Sequence, residues 1–208
     1  MRFFSFIIVV MFLLVACYAK TSMTARVNPE YSERHFSKIF IFSSFQNLEL
    51  QTALEEKLKK EFVWHDVECV FESWVSFSRD TSEDEALLKL IDSSGCDAIL
   101  VIGPLESGHS STYIPKSSYG TTTGTGRVDS FGNIYYSSQS STREYGGYNV
   151  NKPWANFQID VYDAKTLDVV WTASAQSGGN AFAKWKTVIR SMAGQTVAKL
   201  AEQGLIAK

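Results

Sequence analysis

The sequence lacks an excess of charge of either sign. Its 208 residues carry 20 Lys and Arg against 22 Asp and Glu, a formal net charge of -2. A protein that follows the phosphates of nucleic acid has clustered Lys and Arg in excess, so this balance argues against that class. The composition, 45% hydrophobic and 20% charged, is typical of a globular protein and excludes collagen-like, coiled-coil and multi-span membrane proteins.

Residue patterns that carry catalysis are also scarce. The three histidines do not have a zinc-site spacing such as H-E-x-x-H, and the sequence contains neither a G-x-S-x-G elbow nor an S-x-x-K motif. Gly124-Thr125-Gly126-Arg127 lacks the downstream Gly and Lys of a phosphate-binding loop. We therefore expect a protein that is not an enzyme and has no cofactor and no metal site.

The first sixteen residues are almost wholly apolar and carry one charge, that of Arg2. The apolar run is about 14 residues long, shorter than the roughly 20 that a spanning helix needs, and it ends in the small residue Ala16. Because this is the pattern of an export signal, we predict that 1–16 is a cleaved signal peptide.

The residues Leu14-Val15-Ala16-Cys17 resemble the lipobox of bacterial lipoproteins. The resemblance implies cleavage before Cys17, a thioether-linked diacylglycerol on its sulfur and an acylated amine. Two or three acyl chains anchor a protein stably, because each buried methylene contributes about 0.8 kcal/mol. Tyr18 stands where an Asp would retain the protein in the inner membrane of enteric bacteria. The resemblance therefore implies the bacterial outer membrane, with the domain facing the periplasm.

Cys69 and Cys96 remain, in a compartment where disulfides persist. A bridge would close a loop of about 28 residues and stabilise the fold by roughly 3–4 kcal/mol. Both cysteines are predicted near the N-terminal ends of parallel strands. If another strand lies between those two, a separation of about 9–10 Å exceeds the roughly 7 Å limit for a bridge. The sequence therefore leaves two alternatives open for these cysteines, a disulfide or two buried thiols.

Residues 17–36 are polar and show no apolar period, so we predict a flexible, lipid-anchored tether. A single domain is predicted over 37–208. Its first half alternates buried apolar runs with helices, a β-α-β-α-β pattern. Asn47 is the predicted N-cap of the first helix, a capping box at 82–85 is predicted to begin the second, and Gly95 is predicted to end it.

Strict alternation of apolar and polar residues begins at Trp154, and a turn at 163–166 leads to a partner strand that contains Trp171. Asn180 is the predicted cap of a long C-terminal helix. The expected fold is α/β: a mixed sheet built from β-α-β-α-β, then an antiparallel hairpin and a C-terminal helix, in a two- or three-layer sandwich. This order, with its D-A-K-T turn and V-V-W strand, resembles small envelope lipoproteins with a TolB-N-terminal or CsgG-like α/β domain.

An insert at about 106–153 breaks the pattern, and it is rich in Ser, Thr and Gly and too long for a plain connection. Flat, amphipathic tyrosine rings among small polar residues are typical of polar binding surfaces and sugar-stacking sites. A weakly packed loop is the alternative, and we predict a small hairpin that turns at Gly132-Asn133. The candidate partner-binding residues are Tyr113, Tyr119, Tyr135, Tyr136, Tyr145 and Tyr148.

These features predict a non-enzymatic, lipid-anchored envelope protein that faces the periplasm and binds another envelope protein or peptidoglycan, partly through the insert. The alternative is a structural subunit of a larger envelope assembly or secretion apparatus. We expect a membrane contact through the lipid and none with nucleic acid, and the oligomeric state stays open.

Overall fold

The structure is a computed structural model that describes residues 18–75, 89, 91–128, 130 and 133–208. The predicted signal peptide, Cys17 and the capping box at 82–85 lie outside the described residues. The chain divides into two compact units. The first contains the described residues up to Ser110 together with Lys152–Lys208, and the second is Ser111–Asn151.

A six-stranded mixed sheet organises the first unit. Its strands are β1 (Ala19–Val27), β2 (Lys38–Ser43), β3 (Glu68–Phe71), β4 (Ala98–Ile114), β7 (Tyr148–Asp163) and β8 (Val169–Gly179). β2 pairs in parallel with both β3 and β4, whereas β8 pairs antiparallel with β1 and with β7. Across the sheet the order is β1-β8-β7-β4-β2-β3, which confirms the predicted mixed α/β class.

Two long helices, α1 (Leu48–Val63) and α3 (Trp185–Glu202), pack on one face of this sheet, and a short helix, α2 (Glu72–Val75), follows β3. The predicted cap of α1 is confirmed, because Asn47 Oδ1 accepts a hydrogen bond from the backbone N–H of Leu50 at 3.1 Å. The core between these helices and the sheet includes the α1 stripe Leu54, Leu58 and Phe62, the strand residues Phe157 and Trp171, and Met192 of α3.

The predicted cap of the C-terminal helix is wrong. Asn180 Oδ1 accepts from the N–H of Phe182 in the preceding turn, and α3 begins only at Trp185, with Lys184 at the N-cap position. Asn180 follows the last β8 residue, Gly179, directly. Because the chain must first reverse direction there, the asparagine stabilises that turn instead of the helix.

The opposite face of the sheet carries a smaller apolar cluster. Phe40, Ile91, Cys96, Ile99 and Ala164 form a second, smaller core cluster. Residues 91–94 are helical there, and Gly95 ends that helix at a positive φ of 65°, as predicted.

Over β7 and β8 the same face is polar. Gln158 Nε2 donates to Asp160 Oδ1 and to Thr172 Oγ1, each at 2.9 Å, and Thr172 Oγ1 donates to Asp160 at 2.6 Å.

Residues 18–36 do not form the predicted flexible tether. β1 pairs with β8 along its whole length, from Ala19 opposite Gly179 to Val27 opposite Trp171. Its residues alternate half-buried and exposed, with Met23 and Ala25 against the core. The prediction failed because the inward face is built mostly from small residues, which have little hydrophobic signal in the sequence.

The segment after β1 is also held in place. Asn28 N–H donates to the carbonyl of Val170 at 2.8 Å, Tyr31 Oη donates to Asp168 at 2.7 Å, and Phe36 N–H donates to the carbonyl of Leu205 at 2.8 Å. These bonds join the segment to β8, to the turn before it and to the C-terminus, so the domain begins at the first described residues.

β4 continues through Gly103-Pro104 to Ile114. A proline ends a strand only where its missing N–H is needed in the ladder. The second unit contains the antiparallel pair β5 (Ser117–Val128) and β6 (Ile134–Tyr145). This hairpin is much longer than the predicted one, and residues 129, 131 and 132 of its turn lie outside the described residues.

Candidate functional site

Cys17, the predicted lipid attachment residue, directly precedes the first described residue, Tyr18. The carbonyl of Tyr18 accepts a hydrogen bond from Asn180 N–H at 2.9 Å. Three residues later, Thr21 Oγ1 lies 2.8 Å from both Ser177 Oγ and Ser191 Oγ, and Ser191 donates to the carbonyl of Ala19 at 3.1 Å. Asn180, which directly follows β8, and Ser191 of α3 therefore hold the chain from Tyr18 onwards.

A cleft of about 570 Å³ opens at the carboxyl ends of β2 and the parallel part of β4, beside the N-terminal ends of α1 and α3. This edge of an α/β sheet is a common position for ligands. The apolar part of the lining includes Leu50, Trp185, Ile189 and a tilted ring pair, Phe45 and Phe157, with centroids 6.3 Å apart. The described lining residues also include the polar side chains of Ser44, Gln46 and Asn47, so the cleft suits an apolar group with a few hydrogen-bonding atoms.

A charged cleft of about 350 Å³ shares the lining residues Asn47, Leu50 and Trp185 with the first. Lys186 Nζ lies 2.6 Å from Glu49 Oε1, and this hydrogen-bonded ammonium holds the pKa of the Glu49 carboxyl below its usual value. His109 contacts the edge of the Trp185 ring, with ring centroids 5.3 Å apart. The ion pair ties the N-terminal end of α1 to that of α3.

The six candidate tyrosines are all exposed, by 57% to 72% of their surface. The β5–β6 register places three of them on one face of the hairpin, because directly paired residues of two strands project to the same side. Tyr145 is a diagonal neighbour of Tyr119, whereas Tyr135 lies towards the turn, opposite Arg127. Tyr119 pairs with Arg143, Arg127 pairs with Tyr135, and Ser117 pairs with Tyr145. We call these five Tyr and Arg residues the Tyr/Arg face.

The remaining candidate tyrosines lie elsewhere. Tyr136 pairs with Gly126 on the other face, where its ring covers Gly124 so closely that a Cβ at Gly124 would lie 2.3 Å from the phenol oxygen. Tyr113 is on β4 and Tyr148 on β7.

The two arginines of the Tyr/Arg face were missed in the sequence, although both are exposed. Neither guanidinium forms a salt bridge within the described part of the chain, whereas Glu144 on the other face is paired with Lys116 at 3.0 Å. An arrangement of flat rings and unpaired guanidinium groups can stack on a ligand and donate hydrogen bonds to it. The two arginines are 16 residues apart in the sequence, and only the hairpin register shows that they lie on the same face.

Cys69 and Cys96 are free thiols. β2 lies between β3 and β4, which is the arrangement that makes a bridge too long. The cysteines also pack in different clusters, Cys69 on the α1 and α3 side and Cys96 on the other. Burial raises the pKa of the Cys69 thiol to about 12, and it raises the pKa of Cys96 as well, so both thiols are protonated at neutral pH.

Within the described ranges, no group of three or more His, Cys, Asp or Glu side chains is arranged to hold a metal ion. In the same part of the chain, no helix has both the length and the apolar character needed to cross a membrane.

No protein-family model matches this sequence, and no curated protein matches it either. Among solved structures, a PelC dodecamer from Paraburkholderia phytofirmans is similar with a TM-score of 0.48 and 10% identity, over 90% of this chain and 99% of that chain. A lipoprotein from Neisseria meningitidis is similar with a TM-score of 0.41 and 11% identity, over 80% and 96%.

A PDZ domain protein from Parabacteroides distasonis is similar with a TM-score of 0.36 and 11% identity, over 93% of this chain and 38% of that one. At these identities and TM-scores, the likeness transfers no function from any of these proteins to this chain.

Proposed function

We propose that this chain is a non-enzymatic, lipid-anchored protein of the bacterial outer membrane that binds another envelope component, a protein or peptidoglycan, through the β5–β6 hairpin. The anchor is supported by the lipobox-like residues Leu14-Val15-Ala16-Cys17 after an export signal. The binding role is supported by the Tyr/Arg face, which would form the contact surface for the partner.

The energetics of the hairpin support a partner. A two-stranded hairpin is marginally stable in water without further packing, and every described side chain of β5 and β6 is exposed. Tyrosine contributes large contact area at a low cost in conformational entropy, because its side chain has only two rotatable bonds. A partner that covers the Tyr/Arg face would therefore gain affinity and stabilise the hairpin at the same time.

The test replaces Tyr119, Tyr135 and Tyr145 together by Ser in the lipidated protein. A photo-crosslinker at Thr123, between two of these tyrosines on the same face, should capture one specific envelope protein, or the protein should co-sediment with purified peptidoglycan. The triple variant should lose that interaction. The matched control is Tyr136→Ser on the other face, which should retain it, and equal binding by both variants would contradict the proposal.

A second role, as a structural subunit of a larger assembly, is favoured by one observation. β1 pairs with β8 on one side, and no described strand pairs with its other side. An open edge of nine residues is a template for a strand of another chain. A mature chain that stays monomeric at every concentration in analytical ultracentrifugation would count against this role.

A further inference from the structure

We propose that the end of the first unit at which β1 begins lies directly against the lipid headgroups of the leaflet that holds the Cys17 lipid. Its contact surface includes Tyr18, Lys20, Phe182 and Lys184, and we call it the anchor end. The inference rests on the lipidation that is part of the proposed function, and it adds an orientation and a membrane-contact surface to it.

The length of free chain carries the argument. Covalent geometry places the Cα of Cys17 about 3.8 Å from that of Tyr18, and Tyr18 is already bonded to Asn180. A flexible tether of 19 residues would let the domain move roughly 25 Å from the membrane. Here a single peptide bond joins Cys17 to Tyr18 instead of such a tether. A lipid on Cys17 that is inserted in the leaflet therefore holds the anchor end at the headgroups.

The side chains around this point suit that position. Tyr18 is 57% exposed and Phe182 is 69% exposed, and Asn180 joins them, because its N–H donates to Tyr18 and its Oδ1 accepts from Phe182 N–H. Aromatic rings favour the boundary between headgroups and acyl chains, where one part of the ring is apolar and the other wet.

Charge favours the same orientation. Lys20 and Lys184 are exposed, and neither ammonium forms a salt bridge with a described carboxylate. The nearby carboxylate of Glu49 is neutralised by Lys186 at 2.6 Å. The anchor end therefore presents net positive charge, which anionic headgroups attract.

The orientation fixes what faces the periplasm. β1 runs away from the anchor end for nine residues, about 30 Å at the rise of a strand. Asn28 and the turn between β7 and β8 lie together at the far end, where Asn28 Nδ2 donates to the carbonyl of Val169. That turn is thus beyond the reach of the headgroups.

The test measures membrane depth in the full-length lipidated protein, reconstituted in vesicles of phosphatidylethanolamine and phosphatidylglycerol. A fluorophore is attached at Ala181→Cys, beside Phe182, or at Lys165→Cys in the β7–β8 turn. Labelling is confined to the introduced thiol, because Cys17 carries lipid and Cys69 and Cys96 are largely buried. Nitroxide-labelled headgroups should quench the fluorophore at residue 181 several-fold more strongly than the one at 165.

A variant that lacks both the short linkage and the contact surface provides the control. A flexible Gly/Ser segment of about 15 residues, inserted between Cys17 and Tyr18 together with Phe182→Ser and Lys184→Glu, should bring the quenching at 181 down to that at 165. Protein that floats with the vesicles but shows equal quenching at both positions overturns the orientation alone. Protein that carries no lipid by mass spectrometry and does not float overturns the anchor, and the orientation with it.

Discussion

The substitution Thr21→Val tests most directly whether β1 belongs to the folded domain. The Thr21 hydroxyl lies 2.8 Å from Ser177 Oγ and 2.8 Å from Ser191 Oγ, so it joins β1 to β8 and to α3. Ser177 is fully buried and also donates to the carbonyl of Val188 at 3.0 Å. Valine keeps the branched shape of threonine, but it removes both hydroxyl contacts.

The expected loss follows from those two contacts. Each ordinary hydrogen bond contributes a net 0.5–1.5 kcal/mol or so, which gives about 1–3 kcal/mol for the two. In a chain of this size, 1 kcal/mol shifts Tm by about 2–4 °C. Urea unfolding of the chain from residue 17 onwards with Cys17→Ser, followed by tryptophan fluorescence, should show the loss as a lower midpoint at an unchanged slope.

The matched control is Thr24→Val on the same strand. Thr24 is exposed, and it faces the opposite side of the sheet from Thr21, so this identical change should alter the free energy of unfolding by no more than about 0.5 kcal/mol. If 18–36 were a flexible tether, both variants would behave like the wild type. A Thr21→Val protein within 0.5 kcal/mol or so of the Thr24→Val protein would refute the reasoning.

Three further predictions concern the cysteines, the segment after β1 and the core. Because burial raises the pKa of Cys69 and of Cys96, neither should react with iodoacetamide at pH 8 in the native protein, and both should react in urea. Tyr31→Phe should raise the pKa of Asp168 in an NMR titration, since the Tyr31 hydrogen bond, and then that of Thr166, lower it. Leu58→Ala, at a fully buried position, should reduce the free energy of unfolding by about 2–5 kcal/mol.

Each of these outcomes has a contrary result. A protein whose mass after native alkylation changes when reductant is added contains a disulfide, contrary to the structure. An unchanged Asp168 titration in Tyr31→Phe would show that the segment after β1 is not held at the β7–β8 turn. Val63→Ala is the control for the core prediction, because Val63 lies on the exposed side of the same helix and should change stability by less than about 0.5 kcal/mol.

The pKa of Asp168 also sets the sign of one pH effect. Its folded value is lowered, so the contribution of this group to stability is fully present above its unfolded value of about 3.9 and is lost as the pH falls through the lower folded value. Tyr31→Phe should therefore reduce the acid sensitivity of unfolding in the range below that unfolded value.

The elements with a strong hydrophobic period were predictable from the sequence. The α1 stripe of Leu54, Leu58 and Phe62 is buried as expected, and Phe157, Ile159 and Val161 face the core of the sheet. In these segments every second or every fourth residue is large and apolar. Burial of such side chains dominates the local conformational choice, so the pattern in the sequence is sufficient.

β1 was not predictable in the same way. Its inward face consists of Ala19, Thr21, Met23, Ala25 and Val27, which together carry little apolar surface. The strand forms because β8 offers a complementary edge of small residues, such as Ala173 and Ala175 opposite Ala25 and Met23. That edge is more than 140 residues away in the chain, so no local pattern contains the information.

The sequence by itself determined the α/β class and the capped start of α1, because propensity and hydrophobic period are local properties. Only the tertiary structure decided the rest. Strand order placed β2 between Cys69 and Cys96, and hairpin register gathered Tyr119, Tyr135 and Tyr145 on one face. The segment predicted as a tether forms the edge strand β1, which pairs with β8. Strand pairing depends on segments that are distant in the chain, so the local sequence did not predict it.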